Sequence, residues 1–382
     1  MVGSPRVAVQ PRVLFNDLRP QYAAIKEEID AAVAGVLARG WYVLGPEVEA
    51  FEAEFAAYCG AKHAVGVGSG TEALHLALWA CDLRPGDEVV TVAHTAVPTI
   101  NAISLTGARP LFVDVDLATR TMDPAAAARA ITPRTRALLP VHLYGHPADM
   151  APLQELARRH GLWLIEDAAQ AHGAEYGGTR AGRLGHLAAF SFYPTKNLGA
   201  YGDGGMVVTD DAALAERVRL LRNYGQTDRY HHQVEGLNSR LDELQAAALR
   251  VKLRHLDTWT AARRERAARY GTALRHVATP TEAPWARHVY HLYAVGVPRR
   301  AEVQEALAAA GIGTLVHYPI PAHLQPAYAH LGVPRGSLPV TERLADEVLS
   351  LPLYPELPLA QVDEVAATVD RVVGELMAGR SP

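Results

Sequence analysis

Lys196 follows Ser191 by five positions in the run Ala188-Ala189-Phe190-Ser191-Phe192-Tyr193-Pro194-Thr195-Lys196-Asn197-Leu198-Gly199, just ahead of the glycine-rich Tyr201-Gly202-Asp203-Gly204-Gly205. A lysine in a surface turn is ordinarily a solvated charge. Here Phe190, Phe192, Tyr193 and Leu198 flank it, and partial burial would favour the neutral amine and make it nucleophilic. The chain has only four lysines among 37 Lys plus Arg. Lys26 sits on a polar helix face, Lys62 follows Gly60 in a turn and Lys252 belongs to an Arg-rich helix, so Lys196 alone has the neighbourhood of a reactive amine.

Three further clusters could complete a site. In Val67-Gly68-Ser69-Gly70-Thr71-Glu72 an apolar run ends in two glycines and hydroxyls as a helical pattern begins. Free amides at such a helix start bind anions, although plain capping by tight glycines explains the pattern equally well. A dinucleotide fingerprint starting at Gly66 fails, because Thr71 stands where the third glycine belongs and the acidic pair Asp87 and Glu88 precedes the next strand. In Trp163-Leu164-Ile165-Glu166-Asp167-Ala168-Ala169-Gln170 a strand delivers Asp167 to its carboxyl end, where ligands of open α/β sheets sit. Asp167 could hold a proton on a cationic ring nitrogen, or cap a helix, or pair with an arginine. In Gly236-Leu237-Asn238-Ser239-Arg240 a polar cluster precedes an amphipathic helix and, by itself, reads as a cap.

Other chemistries find little support. His142 and His146 are four apart but Gly145 interrupts them, and no carboxylate completes a set with His231, His232, His317 or His323, so no metal is expected. No nucleophile elbow occurs. Cys59 and Cys81 are too few for a disulfide framework and read as buried thiols of a reducing compartment. With a formal charge of −4 there is no basic field for nucleic acid or an anionic membrane. Residues 1–12 lack an apolar signal core and no segment reaches ~18 uninterrupted apolar residues, so a cytoplasmic, soluble protein is expected.

These side chains need a scaffold, and the pattern supplies one. Short β-prone runs at 64–68, 88–92, 110–113, 137–141, 162–165, 188–192 and 206–209 alternate with helical stretches such as 71–81 and 150–159. That alternation predicts an α/β sheet with helices on both faces. After Asp210 helices take over, at 212–221, 240–253 and 257–275. The tail offers a strand at 291–297, a helix at 301–310, a Pro-broken stretch at 318–339 and a last helix at 359–377. We expect a loose segment over 1–14, a large domain over 15–255 and a small α+β domain over 256–382. An amphipathic opening helix over 21–37 ends before Gly40 and could lie on either body.

Helix-start glycines with Thr71, a strand-end Asp167 and the Ser191 to Lys196 pair are what a pyridoxal phosphate site needs: a phosphate cradle, a ring-nitrogen partner and a Schiff-base lysine. GSGTEALHLAL (68–78), EDAAQAHGA (166–174), SFYPTKNLGAYGDGG (191–205) and NSRLDELQAA (238–247), in that order, resemble the DegT/DnrJ-type sugar-nucleotide aminotransferases. The resemblance runs from about Phe15 to the His317-Tyr318-Pro319 region. It implies the pyridoxal-phosphate-dependent transferase fold of type I, that of aspartate aminotransferase: a mostly parallel seven-stranded sheet and a smaller C-terminal domain. It also implies that Lys196 carries pyridoxal 5'-phosphate (PLP) as a Schiff base, that Asp167 pairs with its ring nitrogen and that Gln170 lies against its phenolic side. Gly70, Thr71, Glu72 and Ser191 would hold the phosphate, with Asn238 reaching it from the neighbouring subunit of a homodimer.

Arg240 is then expected near a substrate anion, and His317, Tyr318 and His323 are substrate candidates that could equally pack between domains. Many relatives carry a ring-stacking aromatic where this chain has Ala96, in Val92-Ala93-His94-Thr95-Ala96-Val97-Pro98-Thr99, so His94 is expected to cover the ring instead. The implied reaction moves the amino group of L-glutamate to a keto-sugar nucleotide. The stretches at 40–46 and 236–240 are most similar to enzymes acting at C3 of dTDP-3-keto-6-deoxyhexoses in deoxyamino-sugar biosynthesis. Amination at C4 of a UDP-, GDP- or dTDP-4-keto-6-deoxy sugar, and aminocyclitol amination, are the alternatives within the resemblance. Lys196 argues against the dehydrating branch, which has histidine there. A nicotinamide oxidoreductase or a non-catalytic regulator are the readings outside it.

Overall fold

The computed structural model describes residues 11–379. Seven strands form one sheet: β1 (His63–Val67), β2 (Glu88–Val92), β3 (Arg109–Val113), β4 (Thr135–Leu139), β5 (Trp163–Asp167), β6 (Leu187–Ser191) and β7 (Gly205–Thr209), side by side in the order β1-β7-β6-β5-β4-β2-β3. Only β7 runs antiparallel to its neighbours. Alternate side chains go to opposite faces. Val65, Val67, Val89, Leu139, Ile165 and Val207 enter one core, and Ala64, Val90, Leu138, Leu164, Phe190 and Val208 enter the cores on the other side. Both faces being covered is why these strands read as continuous apolar runs.

Helix α1 (Gly70–Ala80) follows β1, and Ser69 caps it by accepting from Glu72 N at 3.2 Å. Helix α2 (Val97–Leu105) starts just beyond β2 with Pro98 in its first turn, where a missing N–H costs nothing. The two helices expected over 240–253 and 257–275 are a single helix, α3 (Glu243–Ala273). Arg254 and His255, which look like a polar break, reach Glu28 at 2.8 and 3.0 Å and so find partners on the opening segment. That segment is two helices, Arg19–Ala24 and Lys26–Arg39, which break at Ile25; Ile25 and Ile29 pack on Ala248 and Val251 of α3.

The smaller body pairs β8 (Tyr293–Gly296) with β9 (Val348–Leu351) and packs helices Arg300–Ala309 and α4 (Leu359–Met377) against them. Position 255 falls inside α3, which contributes Leu249 and Leu256 to the large domain's core and Ala267 and Tyr270 to the small one's. The segment expected to be loose lies outside the described residues up to position 10. Its described end is fixed: Val13 is buried in the small domain's core and bridges Ile312. No helix among the described residues is long and apolar enough to cross a membrane.

Candidate active site

A cleft of about 320 Å³ opens beyond the carboxyl ends of β1, β2, β4, β5 and β6. β5 ends in two adjacent carboxylates that strand alternation sends apart. Glu166, wholly buried, accepts N–H groups from Gly182, Leu184 and Gly185 at 2.9, 2.7 and 2.7 Å and meets His142 Nε2 at 3.0 Å. It is consumed by structure. Asp167 faces the cleft, accepting from Thr99 Oγ1 at 2.7 Å and from Ala169 N at 3.2 Å. Burial raises its pKa above the ordinary carboxylate value, against the lowering effects of those hydrogen bonds and of Lys196 and His142. An acid in that state gains most from a cation placed beside it.

Lys196 lines the same cleft, and burial lowers its pKa to about 8 while Asp167 opposes the shift. Far more of the amine is therefore neutral near pH 8 than in a solvated lysine. Gln170 is held at both ends of its amide, accepting from Tyr144 N at 2.7 Å and donating to the Tyr318 hydroxyl at 3.1 Å. Burial pushes the Tyr318 phenol up to about 12 and the His317 imidazole down to about 4, so both face the cleft uncharged.

At the other end stand Gly70 and Thr71 at the start of α1, with Ser191 at the end of β6. A Cβ on Gly70 would lie 2.5 Å from Ser191 Cβ, so only glycine lets helix start and strand end close on one small space. Ser69 caps α1 at the same time, so capping and an anion-ready helix start coexist.

Several expected contacts are not in the cleft. Glu72 turns back to Ser69 and to Ser239, which donates to it at 2.9 Å. His94 is buried behind the wall, 3.1 Å from the Tyr144 hydroxyl, while Thr95 and Ala96 line the cleft in its place. The chain turns after β2 and presents the next two residues to the cleft, so the expected ring-covering His94 does not line it. His323 is buried against Glu342 at 3.2 Å, so it packs between elements and does not line the cleft. Asn238 is exposed and Arg240 bonds Asn223 at 3.1 Å; neither lines this chain's own cleft.

Thr99 and Thr95 are cleft residues that reading the sequence did not single out. Their hydroxyls are 2.8 Å apart and form a buried chain ending on Asp167. The available signal was two hydroxyls four residues apart where a helix starts at a strand's carboxyl end. His291 also lines the cleft, held by Asn197 at 3.2 Å. Among the described residues no group of His, Cys, Asp and Glu could hold a metal.

Fold and site together define a pyridoxal-phosphate-type aminotransferase. The sequence matches the DegT/DnrJ/EryC1/StrS aminotransferase family over residues 23–370, and the chain belongs to that family. It is 54% identical over 372 residues to a dTDP-3-amino-3,4,6-trideoxy-alpha-D-glucose transaminase of Streptomyces venezuelae, covering 96% of this chain and 98% of the relative. It is 55% identical over 360 residues to the erythromycin biosynthesis sensory transduction protein EryC1 of Saccharopolyspora erythraea, covering 94% and 98%. The crystal structure of S. venezuelae DesV in complex with a ketimine intermediate superposes with a TM-score of 0.93 at 54% identity, over 95% of this chain and 99% of that one.

Proposed function

We propose that this aminotransferase carries pyridoxal phosphate as a Schiff base on Lys196 and moves the amino group of L-glutamate to C3 of a dTDP-3-keto-6-deoxyhexose. The observation that carries the chemistry is Lys196 and Asp167 lining one cleft, each shifted by burial and each favouring the other's charged form. The residues suit the cofactor: a near-neutral amine, a buried acid short of a cation, and a helix start where any side chain on Gly70 would fill the cradle. The choice of C3 and of a thymidine nucleotide is supported by the name of the S. venezuelae relative.

When bound, the cofactor supplies an electron sink that labilises the donor's Cα proton. Asp167 keeps a proton on the ring nitrogen, because opposite charges in a water-poor cleft favour each other strongly. Thr99 holds the Asp167 carboxylate in one orientation. Lys196 Nζ, lining the same cleft, would take the donor's Cα proton as a general base. The amides of Gly70 and Thr71 with the Ser191 hydroxyl would hold the phosphate. Gln170, pinned between Tyr144 and Tyr318, would offer the cofactor a side chain already fixed in place.

Asn238 and Arg240 act, in this reading, in the cleft of a second copy, which makes the enzyme a homodimer with shared sites. The test supplies glutamate with 3-keto and 4-keto nucleotide sugars side by side and weighs the products by mass spectrometry. Amination of the 3-keto sugar is expected; an untouched 3-keto sugar beside an aminated 4-keto one overturns the position. A regulator without catalysis would show no glutamate-dependent half-reaction.

A further inference from the structure

Tyr144 is a buried aromatic residue with left-handed backbone angles, φ 60° and ψ 4°. Bulky L-residues rarely adopt that region, and it persists only where the surroundings over-determine it. Three polar contacts do so here. The backbone N–H of Tyr144 donates to Gln170 Oε1 at 2.7 Å. Its phenol donates to the carbonyl of His317, and the phenol oxygen lies 3.1 Å from His94 Nε2. The phenol has one hydrogen, which goes to the carbonyl, so the His94 bond must be an Nε2–H donated to the Tyr144 oxygen. Burial keeps His94 neutral, with its pKa down at about 3, so it has one N–H to place. Gln170 then donates to the Tyr318 hydroxyl at 3.1 Å, which closes a ring from Tyr144 through His317, Tyr318 and Gln170 back to Tyr144.

The ring joins two parts of the molecule. Gln170 belongs to the loop after β5, while His317 is tied to the small domain's sheet by a 2.9 Å contact with Ser350 on β9. Gln170, His317 and Tyr318 all line the cleft, whereas neither Tyr144 nor His94 does. We propose that Tyr144 is a positioning residue for amino transfer: its phenol, oriented by His94, fixes the small domain's His317–Tyr318 wall against the large domain's Gln170. The kinetic consequence rests on the function proposed above; the placement of the wall does not.

The test compares the parent holoenzyme with Tyr144→Phe, His94→Ala, His94→Gln and the Tyr144→Phe/His94→Ala double variant. Tyr144→Phe removes one hydroxyl without opening a cavity, and His94→Gln returns an amide N–H near the Nε2 position. Hydrogen exchange read by mass spectrometry on peptides covering 313–322 should accelerate about tenfold in Tyr144→Phe and His94→Ala. It should stay near the parent rate in His94→Gln. The double variant should be no faster than Tyr144→Phe, because the two groups act as one unit. In turnover, KM for the nucleotide sugar should rise about tenfold while the rate of the glutamate half-reaction changes less than about twofold. Unchanged exchange in both single variants, multiplied effects in the double variant, a His94→Gln as defective as His94→Ala, or equal losses in both half-reactions would each overturn the proposal. If the parent transfers no amine, the exchange measurement still decides the role of Tyr144, and only the proposed function falls.

Discussion

Burial brings both Lys196 and Lys252 down to a pKa of about 8, so the shift alone does not mark the reactive amine. Geometry does: Lys252 Nζ donates to the Gly199 carbonyl at 2.7 Å and sits 3.8 Å from the centre of the Tyr201 ring, whereas Lys196 opens into the cleft. A lysine whose pKa is lowered carries a lone pair above that value and an inert ammonium below it. Capture of pyridoxal phosphate by cofactor-free protein, followed by absorbance, should therefore accelerate as pH rises and level off above about 8. A profile still climbing toward 10.5 would show that Lys196 is solvated. At Asp167, Thr99→Val removes a hydrogen bond to a charged acceptor, worth roughly 1.5–3 kcal/mol. The cofactor's dissociation constant should rise tenfold or more, and Thr99→Ser should restore it; equal affinities would mean that the hydroxyl does not orient the acid. Lys196 and Asp167 were legible because each ends or follows a strand within a distinctive run. His94 was misplaced because sequence does not say which of three successive loop residues, His94, Thr95 or Ala96, faces inward. Of the two roles open to His323, the structure shows packing, and the sequence could not choose between them because its partner Glu342 lies 19 residues away on another helix.

The strands were easy to read and the helices less so. A strand buried on both faces announces itself as an apolar run, and all seven stand within a few residues of their expected limits. A helix is broken in sequence by polar residues whose partners lie elsewhere, as Arg254 and His255 show by bonding Glu28. The loop at 182–185 owes its place to one such distant partner, Glu166. Glu166→Gln would turn an amide N–H group toward backbone N–H donors and lose charge-assisted bonds, costing roughly 2–4 kcal/mol. Melting temperature should fall while the bound cofactor's absorbance keeps its position. A normal melting temperature with a displaced absorbance band would instead place Glu166 among the groups that act on the cofactor.

At the scale of the whole molecule, α3 spans both domains and the cleft takes walls from each, so a boundary drawn at 255 divides one continuous helix. Asn238 and Arg240 stand outside their own cleft, and it is the family resemblance, not any pattern within one chain, that points Asn238 toward a neighbour's site. If subunits share sites, unfolding and refolding a mixture of inactive Lys196→Ala and Asn238→Ala chains should return activity, since each mixed dimer keeps one intact site. With random pairing the recovery approaches about a quarter of the parent rate; no recovery would mean that each chain works alone. Whether Lys196 holds the cofactor is read out by reducing the holoenzyme with borohydride and mapping the modified peptide by mass spectrometry. The pyridoxyl phosphate mass should appear on Lys196; the same mass on Lys252, or on no lysine, would show that Lys196 does not hold the cofactor.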